Sequence, residues 1–170
     1  MASFDKGKQE AVNWIYGRFD PYTDTILDVG AGNGKWYDLL GKHFTMDALE
    51  AWYETIAINS LDKKYRTVYL GRIQDATLSA SNLPAYDLII FGDVIEHLSV
   101  EDAQKVLSYL YPVCRDMLIA VPFKYEQDEI DGNPYEKHLQ PDLTHELFMQ
   151  RYKGFKPLIL FPDYGYYVKE

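Results

Sequence analysis

Apolar and polar positions change period along this chain, alternating between stretches of helical spacing and short, nearly continuous apolar runs. Within residues 5–19, Val12, Ile15, Tyr16 and Phe19 recur at the interval of a buried helix face, and Asp20-Pro21-Tyr22 ends the pattern. Thr25-Ile26-Leu27-Asp28-Val29-Gly30 then reads as a buried strand, and residues 45–50, 65–71, 86–92 and 116–121 read the same way. Helical patterns lie between these runs, near 34–43, 52–62 and 101–111. Apolar strands separated by helices predict an α/β domain, its parallel sheet covered on both faces.

The C-terminal part breaks this rhythm. Residues 123–142 are polar and irregular, and so long a connection inside a compact domain is usually functional. A helix starts near Thr144, and 156–161 and 164–169 read as two strands joined at Pro162-Asp163. That terminal hairpin makes the predicted sheet mixed.

At 170 residues, with no repeat, linker or low-complexity stretch, residues 1–170 read as one domain. A lone cysteine, Cys114, excludes an internal disulfide and a Cys-rich zinc site. No apolar run nears 18 residues and the first six residues lack a leader's apolar core, so a cytoplasmic protein without membrane contact is expected. The formal charge of −9 argues against a general nucleic-acid surface, although it leaves room for a nucleic-acid end held in a local pocket. The small basic clusters Lys63, Lys64, Arg66 and Arg151, Lys153, Lys156 do not add up to a nucleic-acid track.

Candidate chemistry begins at Asp28-Val29-Gly30-Ala31-Gly32-Asn33-Gly34, where a buried strand turns into a helix. Glycines allow a tight turn and close approach of a ligand to the backbone. A dinucleotide-binding turn would carry G-x-G-x-x-G; here the third glycine comes one position early and a carboxylate precedes the turn, which suits an amino-bearing ligand better than a diphosphate. The next strand ends in Glu50, placed to accept hydrogen bonds from both hydroxyls of a ribose, followed by Ala51 and by Trp52, placed to lie against an adenine. After the third strand come Gln74 and Asp75, where Asp75 can accept from the adenine amino group.

These segments, in this order, resemble the class I S-adenosylmethionine-dependent methyltransferases over about residues 23–169. The glycine segment looks like their first motif, Glu50 their ribose-binding acid, Asp75 their adenine-edge acid and Phe91-Gly92-Asp93-Val94-Ile95-Glu96-His97-Leu98 the motif after their fourth strand. The resemblance implies a Rossmann-like, seven-stranded mixed sheet of order 3-2-1-4-5-7-6 with helices on both faces and an antiparallel last strand. It also implies S-adenosylmethionine as cofactor, S-adenosylhomocysteine as product, and Asp28, Gly30, Ala31, Gly32, Gly34, Glu50, Ala51, Trp52, Gln74, Asp75, Gly92 and Asp93 as cofactor-binding residues.

Asp93, Glu96 and His97 fall at the carboxyl edge of the sheet, where ligands bind in open α/β folds. If a helical turn begins at Asp93, the i, i+3, i+4 spacing puts all three on one face, a set that suits a divalent metal, with His138 or His145 as a fourth ligand. The segment looks like the D/E-x-x-E-H motif of two branches of the family, the ubiquinone-biosynthesis O-methyltransferases and the small-RNA 3′-end 2′-O-methyltransferases, in which such residues hold a metal. Similar segments also occur in metal-free members, leaving His97, Glu96 and His138 as acid–base residues in a metal-free site. A lid is expected from 123–142, with Tyr125, Tyr135 and His138, and from Trp14 and Tyr16 of the first helix.

The expected activity is methyl transfer to a small-molecule acceptor, at an oxygen, by a monomer or homodimer. A metal-assisted 2′-O-methyltransferase on an RNA end and a non-catalytic, methyltransferase-like binding module are the alternatives.

Overall fold

The computed structural model describes residues 5–78 and 83–170, so the reading of the first four residues falls outside the described part. Seven strands form one sheet: β1 (Thr25–Val29), β2 (Thr45–Glu50), β3 (Val68–Leu70), β4 (Tyr86–Gly92), β5 (Cys114–Pro122), β6 (Phe155–Leu160) and β7 (Tyr164–Lys169). Their order is 3-2-1-4-5-7-6, with β7 antiparallel to both β5 and β6 and the remaining neighbours parallel. The sheet therefore has the expected order and the expected antiparallel hairpin.

Alternate residues of the central strands feed two cores. On one face Leu27, Val29, Phe91, Ile119 and Tyr167 pack against α6 (Val100–Leu110) and α7 (His145–Arg151), the latter through Phe148. On the other, Ile26, Ala48, Ile90, Leu118 and Tyr166 meet α1 (Lys8–Tyr16) and α2 (Lys35–Leu40). Because the strands are buried on both sides, their sequences read as apolar runs.

Element ends depart from the sequence pattern for local reasons. The helix expected over 52–62 is broken into α3 (Tyr53–Asn59) and α4 (Leu61–Lys64) by Ser60, whose φ is 50°. The strand expected over 65–71 is regular only over β3. Tyr65 turns into the second core and the Arg66 guanidinium forks onto the buried Asp47, although Arg66 N still donates to Met46 O at 2.9 Å. A short helix, α5 (Ile73–Leu78), follows β3 where the pattern had shown none. Pro157 is accommodated by a bulge on the edge strand β6, where its missing N–H costs no internal ladder bond. No helix among the described residues is long and apolar enough to cross a membrane.

Candidate active site

At the carboxyl edge of the parallel strands the turn after β1 folds back so that Gly30 N donates to Leu49 O at 2.7 Å. Gly30 has φ 65°, and a Cβ there would lie 2.6 Å from Val94 Cγ2, so both conformation and space demand glycine. Gly32, with φ 55°, is different: a Cβ would meet only Gly30 O at 3.7 Å, leaving its open side to the cavity. The Glu50 carboxylate ties two turns together, accepting from Gly32 N at 3.0 Å and from Trp52 N at 3.0 Å. Burial pushes its pKa up.

These turns form one end of a cavity of about 410 Å³. Of the residues read from sequence as cofactor contacts, Gly30, Ala31, Gly32, Glu50, Ala51, Gln74, Gly92 and Asp93 line it. The other four sit beside or beneath it. Asp28 is buried on β1, its Oδ2 accepting from the Tyr65 hydroxyl at 2.5 Å. Gly34 caps α2. The Trp52 ring lies edge-on to Tyr135 with centroids 6.1 Å apart. Asp75 takes both its oxygens to the Arg72 guanidinium, at 2.8 and 2.9 Å, and it is Arg72 that lines the cavity.

The far end of the cavity is built by the segment after β4. The helical turn expected to begin at Asp93 does not form: Asp93 has φ 59°, and a single 3-10 turn starts at Ile95 and ends at His97. Asp93 is drawn to β7, where the buried Tyr164 hydroxyl donates to its Oδ1 at 2.5 Å. Glu96 and His97 turn elsewhere and meet His138. Ligand-capable atoms of these three residues lie within 4.8 Å of one another. Thus the long loop supplies the third member of the cluster and Asp93 does not. His145, the other histidine considered, stacks on Tyr167 with its Nδ1 3.0 Å from the phenol oxygen.

Hydrogen bonding sets the tautomers. His97 Nδ1 lies 3.2 Å from Lys137 O and His138 Nδ1 lies 2.8 Å from Tyr125 O. A carbonyl only accepts, so each Nδ1 carries the proton and each Nε2 presents a lone pair. His97 Nε2 and both Glu96 oxygens are buried with no hydrogen-bond partner among the described residues. Burial, with His138 alongside, brings His97 down to about 4, and burial lowers His138 as well. Burial, with Asp93 nearby, raises Glu96 well above the usual carboxylate range. The cluster combines two neutral imidazoles and a carboxyl group, and His97 is its member on the cavity wall.

One wall residue carried no signal of its own in the sequence. Trp36 lines the cavity and packs so tightly on Gly92 that a Cβ there would fall 2.3 Å from its Nε1. Lys8, almost fully buried and not itself on the wall, places its ammonium 4.8 Å from the Trp36 ring centroid. Residues 133–137 and Leu139 of the long loop line the cavity, Tyr135 among them, whereas Tyr125 and His138, expected in a lid with it, do not. The first helix does not contribute as expected: Trp14 packs on Phe19, and Tyr16 on His43 and Phe44, away from the cavity.

No family model matches the chain and no curated protein matches it. Solved structures do. The N-terminal domain of EvdMO1 with S-adenosylhomocysteine bound superposes with a TM-score of 0.67 at 12% identity, over 99% of this chain and 82% of that one. TehB from Haemophilus influenzae gives 0.66 at 13% identity, over 95% and 61%. An O-methyltransferase family protein from Burkholderia thailandensis gives 0.62 at 11%, over 96% and 55%. This is the Rossmann-like methyltransferase fold. The chain spans little more than half the length of the Burkholderia protein.

Proposed function

We propose that the protein transfers a methyl group from S-adenosylmethionine to an oxygen of a small-molecule acceptor. One observation carries the reading: a single cavity joins the glycine turn and Glu50 to His97, whose Nε2 is unprotonated and without a hydrogen-bond partner among the described residues. The likeness to a domain with S-adenosylhomocysteine bound supports it. The residues fit that cofactor. Gly32 admits close backbone approach, Glu50 stands at the cavity wall where ribose hydroxyls would bond, and Asp93 offers a carboxylate to the amino-acid half. When bound, S-adenosylmethionine supplies an electrophilic methyl group and departs as S-adenosylhomocysteine. His97 accepts the acceptor's hydroxyl proton at Nε2, while Trp36, Leu139 and the lid exclude water and hold the acceptor in line.

A second reading of the same end is favoured by Glu96. Two oxygens without hydrogen-bond partners beside two imidazole lone pairs make a donor set that suits a borderline divalent ion such as Mn²⁺ or Zn²⁺. Glu96, His97 and His138 would hold it, and a bound ion would gather and acidify the acceptor's oxygen.

The test is calorimetric titration with S-adenosylhomocysteine, with and without Mn²⁺, followed by a screen of hydroxylated acceptors. Saturable one-to-one binding and O-methylated product are expected. Turnover only with RNA ends would replace the small-molecule acceptor, and binding without any turnover would leave a cofactor-binding module. No binding by folded, cofactor-free protein would sink the reading.

A further inference from the structure

Gln140 stands at the inner end of the lid with 2% of its surface exposed, and every hydrogen-bonding position of its side chain is used. Its Nε2 donates to Ile95 O at 2.9 Å and to Leu98 O at 3.0 Å, the carbonyls on either side of Glu96 and His97. Its Oε1 accepts from the Tyr152 hydroxyl at 2.7 Å and from Arg151 Nη1 at 3.1 Å, so α7 dictates which way the amide faces. The backbone adds two bonds in the same place, Leu139 N and Gln140 N both reaching Glu96 O, at 2.8 and 3.1 Å. His138 is next in the chain.

We infer that Gln140 is the positioning residue of this site, an amide clamp that sets where the Glu96–His97 turn stands relative to His138. Four hydrogen bonds lock residues 139–140 to the carbonyls of 95, 96 and 98, so the two halves of the cluster behave as one body. A lone 3-10 turn of three residues has little regular structure of its own to hold it. The clamp replaces that missing support with contacts to the loop that delivers the third group. His97 and His138 consequently meet edge to face, with centroids 4.6 Å apart and planes at 84°. Gln140 touches neither the cavity nor the reacting atoms, and acts only through its neighbours. The catalytic consequence rests on the function proposed above, whereas the geometric one does not.

The experiment replaces Gln140 by its near-isostere, Gln140→Met, and follows the His97–His138 ring contact by nuclear Overhauser effects in ¹⁵N-labelled protein at one fixed pH. We expect that contact to weaken or vanish while thermal unfolding stays cooperative. Affinity for S-adenosylhomocysteine stays within about 2-fold and kcat falls on the order of 10- to 100-fold, since a displacement near 1 Å is enough for that. Should Gln140→Met not fold, Tyr152→Phe carries the test, because it frees one side of the amide and changes the ring contact in the same direction. A folded Gln140→Met, or failing that a folded Tyr152→Phe, with the ring contact and kcat unchanged overturns the inference. If wild-type protein binds no S-adenosylhomocysteine, the proposed function fails, and the ring contact still reports on the clamp.

Discussion

The Tyr65 hydroxyl, arriving from the end of α4, donates to Asp28 Oδ2 at 2.5 Å beneath the glycine turn, while Oδ1 of the same carboxyl group has no hydrogen-bond partner among the described residues. Half of a carboxyl group is thus buried unsatisfied. Burial raises the Asp28 pKa from 3.8 to about 7, against the lowering effects of Tyr65 and Lys8 and with a small addition from Glu50. A folded-state value above the unfolded one means that the protonated form favours folding. The corresponding stability is complete below about pH 4 and is lost as pH rises through about 7. We expect Asp28→Asn to unfold at a higher temperature than wild type at pH 8, with the advantage shrinking at pH 5. Melting curves at the two pH values check this, and parallel shifts would contradict the assignment.

Gly32 separates backbone strain from ligand approach. Gly32→Ala must hold a side chain at φ 55° but meets no clash closer than 3.7 Å. The cost to folding should be about 1–2 kcal/mol. Affinity for S-adenosylhomocysteine should fall by at least about tenfold, because the methyl group occupies space the ligand needs. Chemical denaturation and calorimetry together measure both, and undiminished affinity would mean that no ligand approaches this turn.

Glu50→Ala removes the acceptor of two backbone amides as well as the group placed for a ribose. Hydrogen bonds to a charged group contribute about 1.5–3 kcal/mol, so cofactor affinity should drop at least about tenfold. Glu50→Gln should recover part of it by retaining one acceptor oxygen. Equal affinities for all three proteins would exclude Glu50 from the binding site.

The two histidines once equally eligible to complete a metal site now make opposite predictions. His138→Ala should abolish a Mn²⁺ titration heat, as should Glu96→Ala, whereas His145→Ala should leave it intact because His145 is already engaged with Tyr167. Activity that persists in excess chelator, together with no Mn²⁺ heat in wild type, would assign the cluster to metal-free proton transfer.

Much of this arrangement was legible along the chain. Period and composition disclosed the strands and the hairpin, because burial on both faces of a sheet imposes apolar runs that need no partner to be recognised. The glycine turn and Glu50 were equally visible, since their chemistry depends on backbone freedom and on a strand's end. Asp28, Trp52 and Asp75 were named from their places along the chain and from the family resemblance, and neither says which side of the turn a carboxylate or ring takes. Only packing placed Asp28 under the cavity against Tyr65, and only packing put Arg72 on the wall with Asp75 bound to it.

The cluster at the other end shows the same division. Glu96 and His97 are adjacent in sequence and were bound to be neighbours, but a helical face through Asp93 assumed a helix the backbone does not make. Sequence determined the strand order's local ingredients, the glycine turn and the identity of the candidate groups, all consequences of short-range periodicity and backbone preference. Tertiary structure decided which groups meet. Asp93 went to Tyr164, and His138 came from the long loop to Glu96 and His97, held there by Gln140. The Asp93–Tyr164 and Gln140 contacts satisfy buried polar groups across the fold, and no periodicity in a chain records a partner that lies on another element.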